Sequence, residues 1–333
     1  MRTGISTFSF VGSDKNAGKT TALNFVYKKM HAEGVQNLIV SSIGINGESY
    51  DSLEVHPKPE ITINAGDFFI TEVHHLKGST GLYEIKHLYS PPHFRKNFVL
   101  GKTLVNLPLI LEGPNDKAGL QMIKNNLKTR FKNATLLIDG SIDRQFVAHP
   151  GISDEFYFSV LLTDRKQQRK KLAALLQPLN LKVISKNEFK FISRHIDENT
   201  KSLLFDKDGK IIHKGTEIPF CDSKLLDKLG HEKKSKLTLY LGGALSRTLY
   251  GNLSHMSNLN IILNNFTLYP GMDIMNGETI PNNIKLFHPV KVRAIFIQNA
   301  AGPTSGGTIH IPALPDNIPV YNIFREDTIE IGI

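Results

Sequence analysis

The chain has 333 residues, 40% of them hydrophobic and 21% charged, a globular composition that excludes general disorder. Its single cysteine, Cys221, excludes a disulfide framework and a cysteine-rich zinc site, and suits a reducing cytoplasm. The net charge of +9 is spread along the chain, and its densest runs, 165–171 and 233–236, read as solvated faces without an accompanying RNA-binding motif, zinc finger or basic zipper.

The N-terminus reads as a strand, Ile5–Val11, rather than a signal peptide. Glycine follows at once. Leu23, Val26, Tyr27 and Met30 then fall on one helical face that stops at Gly34, and Leu38–Ile43 is a second strand. Residues 61–111 look like an inserted or edge β region, with strands expected over Ile61–Val73, Leu82–Leu88 and Leu104–Leu111. A helix carrying Leu120, Ile123, Leu127 and Phe131 precedes a buried strand, Thr135–Ile138. Phe156–Leu162 is a further strand, followed by a basic amphipathic helix with Leu172, Leu175, Leu176 and Leu179. Beyond residue 185 the pattern weakens. A hairpin is expected around Asp206–Gly209, a strand and short helix around Gly242-Gly243, and late strands over Asn260–Leu263, Val292–Ile297 and Val320–Phe324. No apolar run approaches the roughly 18 residues of a membrane span.

Strands alternating with helices argue for an α/β protein. With the glycine-rich stretch Gly12-Ser13-Asp14-Lys15-Asn16-Ala17-Gly18-Lys19-Thr20 between the first strand and the first helix, the expected architecture is that of a P-loop NTPase, a mostly parallel sheet flanked by helices. A nucleotide-binding domain would cover 1–190, with a β-rich insertion over about 50–111. A C-terminal α/β region would cover 191–333, with the sheet continuing through it as an equal alternative.

The chemistry concentrates in Gly12-Ser13-Asp14-Lys15-Asn16-Ala17-Gly18-Lys19-Thr20, followed by Thr21. Small residues let backbone amides wrap a triphosphate, and the helix that follows points its N-terminus at the same place. Lys19 would reach the outer phosphates of ATP, and Thr20 would offer its hydroxyl to Mg2+. A second Gly-Lys-Thr, at Gly101-Lys102-Thr103, has Lys96 where a first glycine belongs and runs towards a strand pattern. It is read as a decoy.

A nucleotide site also needs a carboxylate at a neighbouring strand tip. Asp139 and Glu112 both qualify, each ending an apolar run and preceding glycine, with Asp139 the first choice. Asp143 and Arg144 lie just beyond, and Ser41–Glu48 and Lys58-Pro59 are weaker candidates. If His74 and His75 lie on a strand they face opposite ways, and the 13 histidines show no metal-ligand spacing on one face. The absence of an Asn/Thr-Lys-x-Asp motif tilts the base preference towards ATP.

Five residues separate Gly12 from Gly18, one more than in the common motif. In this the loop resembles that of dethiobiotin synthetases, which belong to a group of P-loop ATPases with chromosome-partitioning proteins and cobyrinate amide synthases. That resemblance implies a magnesium role for Asp14, an adenine-reading role for Asn299, and a nucleotide site at a homodimer interface. Lys15 lies one residue away from the second lysine of the partitioning proteins, whose role does not carry over. Glu112-Gly113 matches the synthetases' Glu-Gly pair, but Pro114 stands where that family continues with Ala-Gly-Gly. Ser41–Glu48, Lys58-Pro59, Leu137–Arg144, Gly242-Gly243-Ala244-Leu245 and Gln298–Gly306 together resemble the P-loop subunit of lysine 5,6-aminomutase reactivases, although Ala300 stands where proline is expected. This likeness implies an ATP-driven switch acting on an adenosylcobalamin-dependent aminomutase with a second reactivase subunit. The alternative class is an ATP-dependent ligase acting on a small carboxylate.

Overall fold

The computed structural model describes residues 4–14, 16–46, 50–51, 54–57, 59–90, 96–140, 151–163, 165–231, 236–269, 283–299, 318–322 and 329–330. The protein is α/β. It divides into two compact units. One holds the chain up to Thr163 and takes it back from Lys291, and the other begins at Asp164 and runs to Val290. The division therefore falls well before residue 190, and the basic helix expected in the nucleotide-binding domain belongs to the second unit.

The first unit begins with β1 (Gly4–Gly12), α1 (Lys19–Ala32) and β2 (Leu38–Ser42), followed by short strands β3 (Gly44–Asn46), β4 (Tyr50–Asp51), β5 (Glu54–Pro57) and β6 (Thr62–Ile63). Next come β7 (Phe68–Glu72), a 3-10 turn over Val73–Leu76, β8 (Tyr83–Tyr89), β9 (Phe98–Thr103), β10 (Leu107–Pro108) and β11 (Leu111–Gly113). Then α2 (Lys117–Arg130), β12 (Asn133–Asp139) and β13 (Glu155–Leu162) complete its N-terminal part. The second unit contributes α3 (Lys166–Leu176), α4 (Lys186–His195), β14 (Ser202–Asp206), β15 (Ile211–Gly215), α5 (Ser223–His231), β16 (Leu237–Leu241), α6 (Arg247–Ser254), β17 (Leu259–Leu263) and β18 (Ile284–Leu286). The chain then returns as β19 (Val292–Asn299), β20 (Val320–Asn322) and β21 (Ile329–Glu330).

The large sheet has the order β21-β20-β19-β13-β1-β12-β2-β7-β9-β8. From β20 to β7 every neighbouring pair is parallel, so strands β1, β12, β2 and β7 all end at one edge. β1 lies inside, and helices cover the sheet, so its strands are apolar on both faces. Phe10 stacks on Tyr157 at 4.8 Å between centroids. α1 buries Ala22, Leu23, Val26 and Tyr27 against β1, β12 and β13. The Tyr27 hydroxyl donates to Asp67 at 2.7 Å and accepts from the Asn64 amide at 2.8 Å, tying the helix to the turn before β7. Burial, ahead of these bonds, holds its phenol far above the usual range. The second unit has its own sheet, β15-β14-β16-β17-β18, and its own leucine-rich core. No helix among the described residues is long and apolar enough to cross a membrane.

The region after residue 61 differs from the sequence expectation. The strand after β8 is β9, which precedes the expected Leu104–Leu111 segment; that segment instead opens with exposed Leu104 and Val105 and then forms only the two short strands β10 and β11. The second Gly-Lys-Thr thus lies inside a strand, paired with β7 and β8, and no helix follows it. Gly101 has a packing reason. A Cβ there would sit 2.2 Å from the Phe69 ring. Gly101→Ala is therefore expected to destabilise the fold by about 1–3 kcal/mol through overpacking, read by urea denaturation.

Candidate functional site

The loop after β1 emerges between two strand tips. Phe10 pairs with Asp139 of β12, and Gly12 pairs with Ser159 of β13. Ser13 fastens the loop to β13: its amide donates to the Ser159 carbonyl at 2.8 Å, and its hydroxyl accepts from the Leu161 amide at 3.0 Å. Asn16 (φ 58°) and Gly18 (φ 80°) then adopt left-handed conformations, which turn the chain sharply, and Ala17 is buried between them. Alternation of this kind makes a concavity of backbone amides suited to anions.

Gly18 is the N-cap of α1 and makes no side-chain cap bond, and no acidic residue occupies the helix's first turn. The positive end of the helix dipole therefore faces the loop without a carboxylate from that turn to offset it. The Lys19 stem folds back over the loop, because Gly12 lacks a Cβ that would come within 2.9 Å of Lys19 Cγ and Cδ. Lys19 Nζ donates to the Asp14 carbonyl at 3.4 Å. This is a long contact for a charged donor.

Asp139 completes the arrangement. Thr20 Oγ1 donates to Asp139 Oδ2 at 2.8 Å. The residue is fully buried, and Oδ1 has no hydrogen-bond partner among the described residues. Burial pushes its carboxyl up to about 6, against the opposing pull of the Thr20 hydroxyl and the Lys19 charge. A half-satisfied buried carboxylate beside a threonine hydroxyl has room in its chemistry for a cation or a cation's water. The donor set fits a magnesium–nucleotide: amides and Lys19 for phosphates, Thr20 and Asp139 for the ion.

Glu112 sits in different company. Its oxygens bond His75 Nε2 at 2.8 Å and Lys96 Nζ, and its amide donates to Thr71 Oγ1 at 3.0 Å. Burial opposes its ionisation, but Lys96 and His75 outweigh that and hold the carboxyl below its usual value. Gly113 comes next because β11 crosses the tip of β2, where a Cβ would lie 2.0 Å from the Ser42 carbonyl. The paired histidines are not on a strand. β7 ends at Glu72, and the 3-10 turn over Val73–Leu76 carries both, with ring centroids 3.9 Å apart. Successive residues on such a turn step about 120° rather than 180°, so their side chains converge instead of facing opposite ways. That convergence depends on a local change of backbone and on β11, some forty positions on, which no spacing rule could reveal.

Asp14 lies in the loop with its carbonyl turned to Lys19. Thr21 continues α1. Asn299 ends β19 opposite Leu162 of β13, at the edge where β1 also ends. Lys15, Glu48, Lys58, Asp143 and Arg144 lie outside the described residues. Gly242 has a packing role in the second unit, where a Cβ would meet the Thr200 carbonyl at 2.4 Å. No protein-family model matches the chain, and neither a curated protein nor a solved structure does.

Proposed function

We propose that the chain is a P-loop ATPase that binds magnesium–ATP at Gly12–Thr20 and uses its hydrolysis to change the conformation of a partner protein. The carrying observation is the hydrogen bond from Thr20 to Asp139, a buried carboxylate with one oxygen to spare. In this reading the loop amides and the α1 N-terminus hold the phosphates, and Lys19 exchanges its long contact with the Asp14 carbonyl for the outer phosphates. Thr20 and Asp139 would hold the ion, with Asp14 alongside. Bound magnesium would supply neutralisation of charge on the phosphoryl oxygens. Asn299 would read the adenine.

For the partner, the motif likeness to aminomutase reactivases supports an adenosylcobalamin-dependent aminomutase, together with a second reactivase subunit. A switch must contact its partner differently in its ATP and ADP states, since equal affinity shifts nothing. Basal hydrolysis is therefore expected to be slow and to rise when the aminomutase is added. Inactivated aminomutase should regain activity when given this protein, ATP, Mg2+ and fresh cofactor. The loop spacing also keeps the ligase class in view. Stoichiometric conversion of diaminopelargonate and carbon dioxide to dethiobiotin, with ATP consumed, would decide for it. Calorimetry of magnesium–ATP binding tests the nucleotide site separately from both assays.

A further inference from the structure

We propose a second cation site, for a zinc-class divalent metal, built from Glu72, His74, His75 and Glu112. One ligand atom from each of the four lies within 4.8 Å of all the others. Around a tetrahedral zinc, ligand atoms stand about 3.3 Å apart, so closing the set needs only small side-chain movements. Two imidazoles with two carboxylates select a transition metal such as zinc over magnesium or calcium, which prefer all-oxygen ligands.

The cluster is built rather than incidental. Glu72 caps the 3-10 turn, accepting from the His74 amide at 3.3 Å, so that the end of β7 and the turn hold three ligands together. The side chains of His75 and Glu112 are 8% and 6% exposed, while His74 at 56% leaves an entrance. Lys96 sits on Glu112 Oε1, on the opposite oxygen from His75. It thus has the place of an outer partner that orients a ligating carboxylate. A bound ion would tie the turn after β7 to β11.

The site shares the sheet edge with the Gly-Lys-Thr loop without being part of it. Leu137 pairs with Val40, and Val40 with Phe69, so Asp139 stands level with Thr71, one residue before the cluster. β7 lies two strands from β12, about 10 Å at ordinary strand spacing. The metal would bind here whether or not the loop takes a nucleotide.

The test uses the full chain, stripped with chelator and titrated with Zn2+ and with Co2+ at micromolar concentrations. One equivalent should bind per chain. Co2+ should show the intense visible bands of tetrahedral coordination, and Zn2+ should raise the melting temperature. A thousandfold excess of Mg2+ should not displace either ion. His74→Ala, at an exposed position that the fold does not need, should weaken binding at least tenfold, and His75→Gln should do the same. Asp139→Asn should bind as the parent does. A folded parent that takes up no stoichiometric metal would overturn the proposal. So would unchanged affinity in both histidine variants, or displacement by Mg2+.

Discussion

Asp139→Asn is expected to lower ATP hydrolysis by about 100-fold or more, the scale of a lost electrostatic stabiliser, while making the nucleotide-free protein more stable above neutral pH. Both effects come from one carboxylate. The fold raises its pKa from 3.8 to about 6, burial being the chief cause. A raised pKa means that the folded state favours the protonated form. The stability this confers is complete below about 3.8 and is lost as pH rises through about 6. By pH 8 the parent has forgone about 3 kcal/mol. Asparagine keeps the shape and cannot ionise, so the variant should gain up to about 2 kcal/mol at pH 8 after allowing about 1 kcal/mol or more for a poorly bonded buried amide. That gain should vanish near pH 4. Urea denaturation at the two pH values reads the stability, and phosphate release reads the rate. Equal rates in variant and parent would remove Asp139 from the mechanism. A pH-independent stability difference would remove the ionisation argument.

Lys19→Ala is expected to weaken magnesium–ATP binding by about 2 kcal/mol or more, roughly 30-fold, because a charge-assisted contact to the outer phosphates is lost. Its fold should survive, since the ammonium's contact with the Asp14 carbonyl is a long one and the stem lies over a glycine. Lys102→Ala is the matched control. Lys102 belongs to β9, with its ammonium 5.8 Å from the centre of the Phe68 ring, and its loss should leave nucleotide affinity alone. Unchanged ATP affinity in a folded Lys19→Ala protein would contradict the phosphate role. The variant should also fail to support reactivation of the aminomutase.

The start of the chain was legible because its signals are local. An apolar run, glycine, a helical face and a second apolar run sit within forty-odd residues, and they form β1, α1 and β2. Asp139 and Glu112 could not be separated so simply. Both end apolar strands and precede glycine, and the difference between them is which strand lies beside β1, a long-range property that pairing alone decides. Helix α4 went unread because only Ile192 is fully buried in it, while Phe189 and Phe191 stay partly exposed. Its one clear signal was the capping box, Ser185 with Glu188, which binds reciprocally. β9 was hidden by Gly101, which reads as a breaker but here makes room for Phe69. The division into units at Thr163 and Lys291 was hidden for a related reason: nothing local shows that β19 will return to pair with β13.

That return has a consequence for how the protein is made. β13 emerges from the ribosome long before its parallel neighbour β19, with Asp164–Val290 of the second unit synthesised in between. Until then β13 is an open edge rich in Phe156, Tyr157, Phe158 and Val160, a template for pairing with another chain. The Gly-Lys-Thr loop hangs from that same strand through Ser13. Nascent chains should therefore pass through a sticky, high-contact-order stage in which most of the second unit has been made while the edge at the Gly-Lys-Thr loop still waits for its last strands. Demand for a chaperone should be concentrated in that interval.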